Sequence, residues 1–158
     1  DLTVAGVSSW SYLTSVDVSR WGHKNRFLLI SLVPAGGEYG DIEQEGTYRA
    51  TPTLWVLGNY SRFIRPGYKR IALTLNETRS FFGSAWISPE KDKIVAVYTN
   101  RSERNVRLGE THIGWNEAKS VTTYTTTDSK NLQEITVASG SPVVLESGSV
   151  TTVVYNLK

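Results

Sequence analysis

Apolar positions along this chain show two textures that meet near Pro66-Gly67. In the first, Leu2 to Val7 alternates weakly and runs into Ser8-Ser9-Trp10-Ser11-Tyr12. That predicts a strand ending near Trp10 or Tyr12. Phe27 to Val33 is nearly continuous apolar, as in a strand covered on both faces. Pro34 to Ala50 is rich in glycine and acid and reads as a loop. Thr51-Pro52 then predicts a helix start, with Thr51 as N-cap and Pro52 at the first helical position. Leu54, Leu57, Tyr60 or Ser61, and Ile64 recur at helical spacing, and Trp55 widens the stripe. Pro66 has no N–H and disfavours helix at Arg65, so the helix ends about there.

The second texture is a series of short runs rich in Val, Ile, Thr and Tyr. Strands are predicted at Arg70 to Leu75, Ser80 to Ile87, Ile94 to Tyr98, Asn105 to Leu108, Ser120 to Thr126, Leu132 to Val137, Pro142 to Leu145 and Ser149 to Tyr155. Their separators carry turn chemistry, such as Pro89-Glu90-Lys91-Asp92, Asn100-Arg101-Ser102 and Ser147-Gly148. Strands at roughly ten-residue spacing with such turns imply an antiparallel β-sandwich. The chain therefore divides near Pro66-Gly67 into a mixed front third and an all-β remainder. No internal repeat or low-complexity linker interrupts it.

Composition narrows the classes. A chain of 158 residues with 11% aromatics and 20% charged residues is long and apolar enough to fold around a core. A formal net charge of +2, with no Lys/Arg cluster, argues against nucleic acid. The absence of cysteine excludes disulfides and thiolate zinc sites. No run approaches the length of a membrane span, and Asp1 to Leu13 lacks the layout of a signal peptide. A chain that starts without Met reads as mature, trimmed or excised.

Candidate chemistry is sparse. Glu38, Asp41, Glu43 and Glu45 form the densest acidic set. Three of them would share one side of an extended chain, as weak calcium ligands do, but a solvated loop is the better account of such a run. Glu103, Glu110, Glu117, Glu134 and Glu146 are scattered, and His23 and His112 have no partner at metal-ligand spacing. No Gly-x-Ser-x-Gly elbow, phosphate-binding loop or dinucleotide fingerprint occurs. Neither a metal nor a cofactor is expected. Asn59, Asn76 and Asn100 match the N-glycosylation pattern, which is common by chance.

Aromatic side chains offer another kind of site, because indole and phenol rings stack on the C–H faces of sugars. Trp10 and Tyr12 lie at i, i+2 in a serine-rich segment and share one face if it is extended. Trp21, Trp86 and Trp115 are further candidates. Core packing is the stronger account of Trp55 and Trp86. For Trp115, exposure and packing weigh equally, and so do ligand and packing roles for Trp10.

The junction from Leu57 to Gly67, Leu-Gly-Asn-Tyr-Ser-Arg-Phe-Ile-Arg-Pro-Gly, closely resembles the end of the catalytic barrel in glycoside hydrolase family 30. In that family the last barrel helix runs into an attached β-sandwich. Ser120 to Ile135 and Ser147 to Leu157 look like the sandwich's last strands, and Gly6 to Asp17 looks like the eighth barrel strand with Trp10 at its C-terminal end. The resemblance spans essentially the whole chain.

It implies residues 1–66 as the end of a (β/α)8 barrel and 67–158 as the β-sandwich. The junction then has a mechanical purpose: Pro66 stops the helix, Gly67 permits a sharp turn, and Arg65 can satisfy helix carbonyls. Trp55, Tyr60 and Phe63 would pack between the two parts.

The resemblance further implies a secreted or extracytoplasmic retaining enzyme for a β-linked polysaccharide: xylan, β-1,6-glucan or β-1,6-galactan. Its two catalytic glutamates would precede residue 1. Trp10, with Tyr12, would line the sugar site, and this chain alone would be inactive. Expected partners are a polysaccharide or oligosaccharide, and the rest of the enzyme or a second copy completing the sheet. Two alternatives are a stand-alone carbohydrate-binding sandwich and a non-catalytic structural or interaction domain. The first requires Leu2–Tyr12 and Phe27–Val33 to pair antiparallel with sandwich strands.

Overall fold

A computed structural model of the chain describes residues 5–18, 20, 28–37, 45–76, 79–109 and 118–157. The chain forms two compact units, Asp1–Leu57 and Gly58–Lys158.

The first unit holds a three-stranded sheet of β1 (Val16–Val18), β2 (Ile30–Pro34) and β3 (Gly46–Ala50), in that order. β1 pairs parallel with β2, and β3 pairs antiparallel with it. Val18 and Leu28 are almost fully buried. Thr51, also buried, closes the end of β3: its N–H donates to the Leu29 carbonyl at 2.9 Å and its hydroxyl donates to the Leu28 carbonyl.

Helix α1 (Pro52–Ser61) follows at once. After it, the N–H groups of Phe63 and Ile64 both reach back to the Tyr60 carbonyl, a tightened last turn. Arg65 donates through Nη1 to the Ser61 carbonyl at 2.8 Å, satisfying a helix-end acceptor. Gly67 then takes φ +92°, a left-handed conformation that glycine adopts without penalty.

The second unit is a six-stranded, wholly antiparallel sheet: β4 (Lys69–Ile71), β5 (Phe81–Ile87), β6 (Lys93–Asn100), β11 (Ser149–Asn156), β8 (Ser120–Thr126) and β9 (Gln133–Val137), in that spatial order. A short pair, β7 (Val106–Arg107) with β10 (Val144–Leu145), supplies the opposing layer. Strand alternation sends Ala85, Ile87, Ala96, Tyr98, Val153 and Tyr155 to one face, where Val143 and Leu145 cover them. Each such fully buried aliphatic side chain contributes about 1.5–3 kcal/mol. Trp86, Val95, Val97 and Thr152 point to the other face and are buried too. There Tyr60 meets Trp86 edge-on, with ring centroids 6.1 Å apart.

The fold class read from the pattern is present: mainly β, with an antiparallel sandwich after a strand-and-helix remnant. Several boundaries moved. Residues 5–15 form no strand; the first strand lies later, at Val16–Val18, and Leu2 to Val4 lie outside the described residues. A left-handed Gly6 (φ +61°) breaks the extended path there. The run expected at Phe27–Val33 forms its strand at Ile30–Pro34, and Phe27 lies outside the described residues. Its cover is one-sided toward the end, since Val33 is 43% exposed. Gly46–Ala50, read as loop, is a strand that hairpin pairing with β2 imposes on a mostly polar stretch. The helix stops at Ser61, well before Pro66, and the Thr51 hydroxyl bonds Leu28 rather than capping it. Arg70–Leu75 yields only the short β4.

All three front strands pair among themselves. The antiparallel pairing that a refolded binding module would need is therefore absent from the described strands.

Candidate functional site

The helix stripe expected to be apolar has a polar residue at its most buried point. Asn59 is 0% exposed. Its Nδ2 donates to Thr126 Oγ1 at 2.8 Å, and its Oδ1 accepts the Thr152 N–H at 3.1 Å. The Thr152 hydroxyl lies 2.7 Å from the Asn59 carbonyl oxygen and 2.9 Å from its Oδ1. Thr126 Oγ1 also accepts the Leu132 N–H at 3.3 Å. Gly58 lets Leu132 approach this turn, since a Cβ there would sit 3.0 Å from Leu132 Cδ1. The network ties the helix end to β8 and β11, and a buried amide leaves no room for a glycan. Asn100 is equally closed at 1% exposure: its Nδ2 donates to the Arg104 and Glu146 carbonyls, and its Oδ1 accepts from Ser102. Of the three sequon asparagines only Asn76 is exposed.

Trp10 and Tyr12 do come together. Their ring centroids lie 5.6 Å apart at an interplanar angle of 45°. Trp10 is 54% exposed and Tyr12 half-buried, and the Ser15 hydroxyl donates to the Tyr12 carbonyl at 3.3 Å. Their segment is irregular rather than a strand, so the rings meet through loop geometry and not through strand alternation. An exposed aromatic pair of this kind offers apolar surface to a flat, polyhydroxylated ring. Trp21 and Trp115, with Glu38, Asp41, Glu43, Glu110, Glu117, His23 and His112, lie outside the described residues. Trp86 is core, and Trp55 is half-buried in the helix.

The described carboxylates are dispersed. Glu45, Glu90, Glu103, Asp128 and Glu134 are exposed. Glu146 pairs with Lys130 at 2.5 Å, Asp17 accepts the Val18 N–H at 2.7 Å, and Asp92 accepts the Ser88 hydroxyl at 2.6 Å. These are turn and strand-end partners, unlike the opposed pair that glycoside hydrolysis requires. Among the described residues no three His, Cys, Asp or Glu side chains gather where they could hold a metal ion. Within those residues, too, no helix is long and apolar enough to cross a membrane.

A second cluster escaped the sequence reading. Phe63, just past the helix, lies against Tyr124 on β8, with centroids 4.4 Å apart and planes tilted 42°. The Arg62 guanidinium carbon is 5.6 Å from each ring centre. Glu134 on β9 sits directly across from Tyr124. Partial burial pushes the Tyr124 hydroxyl above the usual phenol range, Glu134 adds to that, and Arg62 opposes it. The direct pairing of positions 124 and 134 would have been visible only with the strand register known. Tyr60 is also raised, by burial first, against hydrogen bonds from Thr99 and Ser84.

No family model matches the chain. It is 33% identical over 123 residues to the glucuronoxylanase XynC of Bacillus subtilis (strain 168), a match spanning 75% of this chain and 28% of that protein. Its fold matches a conserved exported protein from Bacteroides fragilis with TM-score 0.81 and 30% identity, over 98% of this chain and 31% of that one. A GH30 endoxylanase from Clostridium papyrosolvens C71 matches with TM-score 0.57 and 32% identity, over 68% and 28%. The chain thus spans between 28% and 31% of the length of these relatives.

Proposed function

The chain is related to the C-terminal segment of glycoside hydrolase family 30 enzymes, and from that premise we propose that it is the scaffold end of a secreted retaining glycosidase acting on xylan. Residues 1–66 form the end of the catalytic barrel and residues 67–158 its side domain. The observation that carries this reading is the likeness, at 30% identity or more, to proteins named as a glucuronoxylanase and an endoxylanase. It favours xylan over β-1,6-glucan or β-1,6-galactan. The parallel β1–β2 pair supports the barrel assignment, since barrel strands are parallel; the antiparallel β3 is an addition between β2 and the helix. A relative named as an exported protein supports secretion.

Retaining hydrolysis needs an acid/base and a nucleophilic carboxylate about 5–5.5 Å apart across the scissile bond. Polypeptide beyond this segment supplies both glutamates. Trp10 and Tyr12 supply an aromatic wall for a sugar ring near the cleaved bond. The wall orients substrate by contact with its apolar face and takes no part in proton transfer. Completion of the front sheet falls to the rest of the enzyme or to a second copy.

The test is titration of the 158-residue chain with xylohexaose, alongside Trp10→Ala. The substitution should weaken binding roughly tenfold while leaving thermal unfolding unchanged. Equal binding by both forms removes Trp10 from the sugar site.

A further inference from the structure

Six side chains share one surface of the second unit. Tyr124 and Glu134 are a direct cross-strand pair, as are Thr122 and Thr136 beside them, so all four project from the same sheet face. Arg62 and Phe63 flank them from the end of the helix. Arg62, Glu134 and Thr136 are exposed, and Phe63, Thr122 and Tyr124 are half-buried.

We propose that this surface is a second carbohydrate-binding subsite, taking a neutral β-linked pyranose chain. The two rings present an apolar, polarisable face to sugar C–H groups. Sugar hydroxyls each donate and accept, and the surface provides both partners: guanidinium N–H donors on Arg62, carboxylate acceptors on Glu134, and the Tyr124 and Thr136 hydroxyls. One cation and one anion cancel locally, which matches an uncharged polyol better than an acidic or basic polymer. Contact of Arg62 with both rings limits the side-chain entropy lost on binding.

The choice of xylan as the chain, and so of the probe, rests on the reading of the protein given above. The test is titration of the 158-residue chain with xylohexaose, comparing wild type with Glu134→Ala, Tyr124→Ala, Tyr124→Phe and Trp10→Ala, each with a thermal melt. Glu134→Ala and Tyr124→Ala are expected to lose roughly threefold to tenfold in the weaker of two binding events, with Tyr124→Phe nearer wild type. Glu134→Ala should melt as wild type does, so that its loss of binding cannot come from unfolding. Wild-type affinity in both Glu134→Ala and Tyr124→Ala overturns the site. Loss in Trp10→Ala alone does the same but leaves the proposed function intact. Loss in the Tyr124 and Glu134 variants alone keeps the site and removes Trp10. Absence of any xylohexaose binding overturns the second site outright.

Discussion

The two units handle the same problem, apolar surface on short strands, in opposite ways. In the second unit, β6 and β11 are eight-residue strands paired with each other along their whole length and with a further strand over seven residues each. Their side chains are buried on both faces, with Val97 and Val153 fully so. In the first, three strands of three to five residues carry a sheet with both outer edges unpaired among the described residues. Leu13 is 92% exposed, Tyr48 77% and Val16 49%. The lesson is a division of labour: one unit is held by its own contacts, whereas the other, among the described residues, leaves strand edges and apolar side chains exposed.

That contrast can be broken most directly by hydrogen exchange. Amides of β6 and β11 should exchange about a thousandfold or more slowly than those of β1 and β3, because the former open only globally. Similar protection in both units would erase the distinction. Next in size is Asn59→Leu. It strands the Thr152 N–H and removes the donor to Thr126, at an expected loss of about 3 kcal/mol in chemical denaturation, against about 0.5 kcal/mol for Val16→Ser in the front unit. Near-equal losses would mean that the network does not hold the helix end.

A smaller effect should appear in alkali. Burial raises the Tyr60 hydroxyl in the folded state, so its contribution is complete below the unfolded value of about 10 and is lost as pH climbs through the raised folded value. Stability should therefore fall above pH ~10, and Tyr60→Phe should flatten that slope. An unchanged slope would remove Tyr60 from the alkaline transition. Smallest of all is the Lys130–Glu146 pair. With side chains 30% and 35% exposed, Lys130→Met should cost about 0.5 kcal/mol and less in high salt. A cost several times larger would show this pair to be part of the core's support.

The sandwich was legible because its strands obey a single rule. From Phe81 to Tyr155, β-branched and aromatic runs alternate with turn residues, and Ser120–Thr126 emerged with the bounds its pattern gave. Arg65 and Gly67 likewise carried their roles in their residue types, with the Arg65 bond to Ser61 and a left-handed Gly67, whereas the helix ends at Ser61 before Pro66 can stop it. What escaped depends on partners distant in sequence. Gly46–Ala50 is a strand only because β2 lies beside it. Asn59 looked like a sequon on a helix, and only its partners on β8 and β11, Thr126 and Thr152, explain its burial. The Trp10–Tyr12 pair was readable from spacing, but the reason was misplaced: an irregular segment, not a strand, brings the rings together.

The decisive measurement is reducing-sugar release from glucuronoxylan by the purified 158-residue chain, with intact mass verifying that no longer species is present. Release at the level of buffer alone is expected, because the proposed scaffold has no opposed carboxylate pair among its described residues. Turnover that disappears when one of this chain's own glutamates is changed to glutamine would contradict the assignment and place the catalytic groups within these residues.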